Sequence, residues 1–182
     1  MSITITDTPD VLTEKALAAY IRTYRDDRAG DSLEANAIPL HCTREGALNG
    51  VNVYEGRQTE QRSYPAIVIA CPSYQRLYEG AGWFSVTVEV ELFTHRNESQ
   101  NSVERAEVVH GERCKALMDL LQEEETIKAG LNKPEPPDSD TRDVKNITVM
   151  GAYLEGGSAS VENNAHVQRW DLTLVVGAYD AV

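Results

Sequence analysis

The segment Phe84–Leu92, FSVTVEVEL, alternates without a break. Phe84, Val86, Val88, Val90 and Leu92 fall on one face of an extended chain, and Ser85, Thr87, Glu89 and Glu91 on the other, because successive strand side chains point to opposite sides. Such a strand has one dry and one wet face, so a sheet must form with other apolar elements packed on one side. A helical period of 3.6 residues cannot satisfy the pattern.

Other segments supply the rest of that sheet. VQRWDLTLVVGAY places Trp170, Leu172, Leu174 and Val176 on one side, with Arg169, Asp171 and Thr173 opposite. VKNITVMGAYLEG predicts a strand with Ile147, Val149, Gly151 and Tyr153 sharing a side, and the intervening GGSASVENNAH reads as a polar hairpin loop. SYPAIVIACPSY is continuously apolar between Pro65 and Pro72, the pattern of a central strand covered on both faces. NGVNVYEG predicts a short strand entered from a turn at Asn49-Gly50.

Two helices complete the layer. In TPDVLTEKALAAYIRTYRDD, Thr8 can cap, Pro9 suits the first turn and Asp10 suits the positive helix end. Leu12, Ala16, Ala19, Tyr20 and Thr23 share its apolar face, with Leu17, Ile21 and Tyr24 beside them. Ser99 or Asn101 can cap NSVERAEVVHGERCKALMDLL, whose stripe runs Val103, Ala106, His110, Cys114, Leu117, Leu121. Glu123, Glu124 and Glu125 oppose the dipole at its C-terminus, so they predict a separate short turn through Leu131. The expected fold is a single α+β domain over residues 1–182: a mostly antiparallel sheet with two principal helices packed on one face. NKPEPPDSDTRD predicts a flexible acidic, proline-rich linker near 132–143.

Charge narrows the functional classes. Seventeen basic residues against 29 acidic give a formal net charge of −12, the reverse of the Lys/Arg-rich footprint that holds nucleic acid. The longest uniformly apolar run, Ala66–Cys71, is far too short to span a membrane. MSITITDTPD carries neither a basic n-region nor an apolar h-region, so no secretory signal is expected. Three cysteines without CxxC spacing suit a reducing compartment. The chain is therefore expected in the cytoplasm when made.

Candidate chemistry is sparse. Glu89 and Glu91 point the same way about 7 Å apart, a separation open to paired-carboxylate chemistry. They lie mid-strand on an open face, however, which alternation alone explains as a solvated or inter-subunit surface. His110 and Cys114 stand four residues apart on a helix, but His41, Cys42, Cys71, His95 and His166 add no recognisable metal-ligand spacing. Both lie on the apolar stripe and read as a core histidine and a buried thiol. Cys42 follows His41, yet adjacent residues point apart and no nucleophile signature surrounds them. No phosphate loop, dinucleotide fingerprint or nucleophile elbow is present. No catalytic residue, cofactor or metal is expected, and the candidate surface is the wet face: Thr87, Glu89, Glu91, Arg169, Asp171 and Thr173.

The order of features resembles a family. A capped helix precedes YPAIVIA (Tyr64–Ala70). A glycine turn and the long alternating strand Phe84–His95 follow, then a helix ending KALMDLL (Lys115–Leu121), then paired strands ending WDLTLVVGA (Trp170–Ala178). Over roughly residues 8–178 this pattern resembles the tail terminator, or tail-completion, proteins of long-tailed bacteriophages and related head–tail joining proteins. The stretches 30–62 and 132–143 are longer than a minimal member needs. The resemblance implies a non-enzymatic virion subunit that closes into a ring, usually a hexamer, on the tail tube. Its partners would be other copies of itself, the tube protein and a neck or head-completion protein, with DNA passing through the lumen without specific binding. Other phage neck or baseplate parts, or a small cytosolic α+β enzyme or binding module, are the alternatives. An acidic lumen containing Glu89 and Glu91 would repel phosphate, while the polar stretches 55–63 and 155–166 are either partner-ordered loops or idle surface.

Overall fold

The computed structural model describes residues 8–26, 47–56, 63–77, 82–96, 105–132 and 147–178. Its elements, in chain order, are α1 (Pro9–Asp26), β1 (Asn52–Glu55), β2 (Ala66–Arg76), β3 (Trp83–His95), α2 (Ala106–Leu121), α3 (Glu124–Leu131), β4 (Ile147–Glu162) and β5 (Ala165–Ala178). The strands form one sheet in the order β1-β2-β3-β5-β4. Every neighbouring pair is antiparallel except β1–β2, which runs parallel. The fold is α+β, as the alternation of β3 and β5 requires.

The dry face of the sheet and the helices make one core. Val86, Val88, Val90 and Leu92 of β3 meet Trp170, Leu172, Leu174 and Val176 of β5 across a continuous register. Leu12, Ala16, Leu17, Tyr20 and Ile21 of α1 close over them, with Leu117, Leu120 and Leu121 of α2 and Ile127 of α3. α1 begins where the Thr8-Pro9-Asp10 signal places it, and the Leu12 N–H bonds the Thr8 carbonyl at 3.0 Å. Tyr20 is buried, and its hydroxyl donates to the Leu120 carbonyl at 3.1 Å, tying α1 to the end of α2. The turn expected after Glu123 is a full helix, α3, with Glu124 and Glu125 at its positive end and Lys128 in its last turn. The Val103, Ser99 and Asn101 positions, and the linker beyond Asn132, lie outside the described residues.

β1 runs parallel beside β2, Val53 opposite Ile67. Two sequence expectations are corrected. Gly151 and Tyr153 do not share a face with Ile147 and Val149, because the register shifts between Val149 and Gly151 and inverts the alternation. The polar stretch 155–166 is not a loop: β4 continues to Glu162, and the chain reverses at Asn163-Asn164 alone. Both asparagines have positive φ, 46° and 63°, the geometry of a two-residue primed turn that matches strand twist and that Asn tolerates.

The wet face is not uniformly wet. Ala66, Val68, Phe93 and Val167 form a second buried cluster there, with Tyr54 against it. Ala66–Cys71 is therefore buried on both sides of the sheet, as its unbroken apolar sequence predicts.

Candidate functional site

The six residues of the expected polar face lie together. Register places Thr87 opposite Thr173, Glu89 opposite Asp171 and Glu91 opposite Arg169, three successive rungs on two central strands. All six side chains point away from the helices, because each lies one residue out of phase with the core set. Arg169 Nε donates to Glu91 Oε1 at 2.8 Å, and Arg169 Nη2 contacts the same oxygen. The Thr173 hydroxyl donates to the Glu155 carboxylate and carries the polar surface onto β4.

Electrostatics on this face are lopsided. Glu89 stands directly opposite Asp171, an arrangement that by itself opposes pairing. Arg169 is held further into its protonated range, chiefly by the hydrogen bond and charge of Glu91, then by Glu89 and Asp171, against the opposing effect of burial. One guanidinium thus stands among three carboxylates, with Glu155 a fourth nearby. Such a surface can repel anions or receive a basic partner. Its carboxylates lie on the side of the two central strands that faces away from the helices.

Sequence reasoning missed a polar cluster on the other face. Thr94 is fully buried at the end of β3, and its Oγ1 lies 2.9 Å from His110 Nδ1 on α2. Arg113 Nη1 donates to the same hydroxyl oxygen at 3.4 Å. Arginine can only donate, so Thr94 accepts from Arg113, and its remaining lone pair and its proton leave the hydroxyl able to serve His110 Nδ1 in either tautomer. His166, opposite Thr94 in the register, lies 5.6 Å from His110 between ring centroids. Burial, then the neighbouring His166 and Arg113, push His110 down from 6.5 to about 4. A hydroxyl beside an imidazole has the composition of a nucleophile and base, but at 0% exposure Thr94 meets no substrate. The cluster is a half-buried polar tie between helix and sheet, centred on the buried Thr94.

A second carboxylate has a structural partner. Glu14 Oε1 accepts the Cys71 N–H at 2.7 Å, while burial raises its pKa above the usual range, and Asp10 and Glu55 add to the rise. Cys71 is pushed far up by burial and then by Glu14 and Asp10. Burial pushes Cys114 up to about 11. Both thiols are therefore protonated and poor nucleophiles at neutral pH. Among the described residues no group of three His, Cys, Asp or Glu side chains could hold a metal ion, and no helix is long and apolar enough to cross a membrane. His41, Cys42 and part of the stretch 55–63 lie outside the described residues.

No family model matches the sequence, and no curated protein matches it.

Proposed function

We propose that this protein is a structural virion subunit, a tail terminator that closes as a ring on the end of a phage tail tube and joins it to the neck. The observation that carries the reading is the three-rung acidic face, Thr87–Thr173, Glu89–Asp171 and Glu91–Arg169. It is rigid, because it spans two central strands, and its charge suits a wall past which DNA slides. The succession of a helix, a covered strand, a long alternating strand, a helix and a long hairpin supports the same reading. A ring subunit works by shape: one surface matches the last tube ring, and another refuses a further one.

Native mass spectrometry of the protein, alone and with tail tubes, tests this. A ring held at one tube end supports a terminator; a subunit that ignores tubes but binds neck or baseplate proteins places it elsewhere in the particle. Glu89→Lys with Glu91→Lys addresses the face itself. The substitutions are expected to impair tail completion or DNA passage while leaving the subunit folded, since both side chains point off the core. An unchanged phage yield from that double variant would refute a role for this face.

A further inference from the structure

The sheet has two unlike edges. β1 is four residues long, a short edge that offers little to pair with. β4 is 16 residues long, and from Glu155 to Glu162 every residue is exposed. At Val149, in its first half, the chain covers this edge itself. Asn132 Oδ1 accepts the Val149 N–H at 2.8 Å, and Asn132 Nδ2 donates to the Val149 carbonyl at 2.9 Å. A side-chain amide there does what a neighbouring strand would do.

That contact also shows which way the distal backbone faces. Val149 turns both its polar groups away from β5, so Val176 opposite it turns away from β4. β5 runs along β3 without a register shift, so its alternation is unbroken and its odd-numbered residues bond β4. Gly156, Ser158, Ser160 and Glu162, opposite Asp171, Arg169, Val167 and Ala165, therefore point inward. Gly157, Ala159 and Val161 turn their N–H and C=O groups outward. A register shift at Glu155 precedes this stretch, and from Gly156 to Val161 the edge carries no lysine, proline or bulge, features that ordinarily keep a strand edge from pairing.

We infer that this edge pairs with the same edge of a second copy, antiparallel, about a two-fold axis through Ala159. Outward groups must face outward groups, so residues of equal parity pair and the axis passes through a residue. Ala159 then meets Ala159 of the second copy, Gly157 meets Val161, and Ser158 meets Ser160, with about six backbone hydrogen bonds formed. The sequence is self-complementary about that axis. Ser158-Ala159-Ser160 is a palindrome, and Val161, 52% exposed, lands opposite Gly157, where the backbone of Arg169 leaves no room for a side chain. The flanking acids favour the same direction: Glu162 falls opposite Gly156 of the second copy, whereas parallel in-register pairing would set Glu162 against Glu162. The result is a ten-stranded sheet with the helices of both copies on one side. An isologous contact of this kind closes on itself, so it is a contact separate from any head-to-tail ring.

Native mass spectrometry and light scattering of the full chain across the micromolar range test it. The wild type is expected to dimerise. Ser158→Lys with Ser160→Lys sets lysine against lysine at both non-hydrogen-bonded rungs, where side chains lie closest, and is expected to weaken association about tenfold. Ser158→Lys with Ser160→Glu sets opposite charges at the same rungs and is expected to restore the dimer. Ala159→Pro removes an outward N–H without touching a β5 bond and is expected to give monomer, with circular dichroism reporting that the fold is kept. A wild type monomeric at every concentration, or a dimer indifferent to the lysine pair, overturns the inference. Capture by tail tubes is read separately with the lysine-pair variant, so failure of the ring reading and failure of this contact are distinguishable.

Discussion

Acid should loosen the helix–sheet tie at His110, and the loss should be traceable to that one ring. The ring is held neutral in the folded state, pushed from 6.5 to about 4 by burial first, then by His166 and Arg113. The sign follows from proton counting: between those two values the unfolded chain binds a proton that the folded chain refuses. Stability is therefore full above 6.5 and is lost as pH falls toward about 4. The full shift corresponds to about 3 kcal/mol. His110 is only half-buried, so solvent screening reduces this to about 1–2 kcal/mol. His110→Asn keeps a hydrogen-bonding side chain beside the Thr94 hydroxyl and cannot protonate. Urea unfolding of both proteins across that range should show a constant offset above 6.5. Below it the wild type should lose about 1–2 kcal/mol more than the variant. Parallel curves throughout would show that the ring takes up its proton without cost, and the argument from burial would fail.

The core and the second carboxylate give further expectations. Leu172 is fully buried between β3 and the helices, so Leu172→Ala should cost about 2–5 kcal/mol in chemical unfolding; a loss below 1 kcal/mol would mean that the site collapses around the gap. Glu14 has the opposite linkage to His110: its pKa is raised by burial, so its favourable contribution is present below 4.5 and fades as pH rises through its folded value. Glu14→Gln retains an acceptor for the Cys71 N–H, and its stability relative to wild type should improve as pH rises from acid to neutral.

Wherever one face of an element is dry and the other wet, the sequence was legible. β3 and β5 declare themselves by alternation, and register then carries all six polar-face residues into three rungs without further information. α1 is equally plain, because Thr8-Pro9-Asp10 starts it and its apolar stripe continues to Ile21. β4 beyond Leu154 was illegible for a physical reason: a strand exposed on both faces at a sheet edge needs no alternation, and Glu-Gly-Gly-Ser-Ala-Ser has none. The available signal was Asn163-Asn164, a dipeptide suited to positive φ with ladder-competent residues on both sides. The parity error at Gly151 has the same root, since a register shift leaves no mark in composition. His110 was correctly placed on the dry stripe, but no local pattern pairs it with Thr94 on a different element.

The polar face and the bare edge together limit how copies of this chain can meet. The acidic face cannot stack on its own copy, because Glu89, Glu91 and Asp171 against their equivalents would oppose like charges across a partly desolvated gap, with one arginine per copy to offset them. The edge has no such difficulty: its distal half is uncharged from Gly156 to Val161, and its polar groups are backbone. Self-association along the edge leaves the acidic face open, and open in the same direction on both copies, because a two-fold axis normal to the sheet preserves sidedness. Two subunits so joined present two acidic faces on one side of a single sheet, with the uncharged paired strands between them. If the face lines a passage for a polyanion, pairing along the edge extends that lining without burying it. If it instead receives a basic protein, the pair offers two equivalent docking sites in one plane, and the binding stoichiometry per dimer, two against none, separates the two roles.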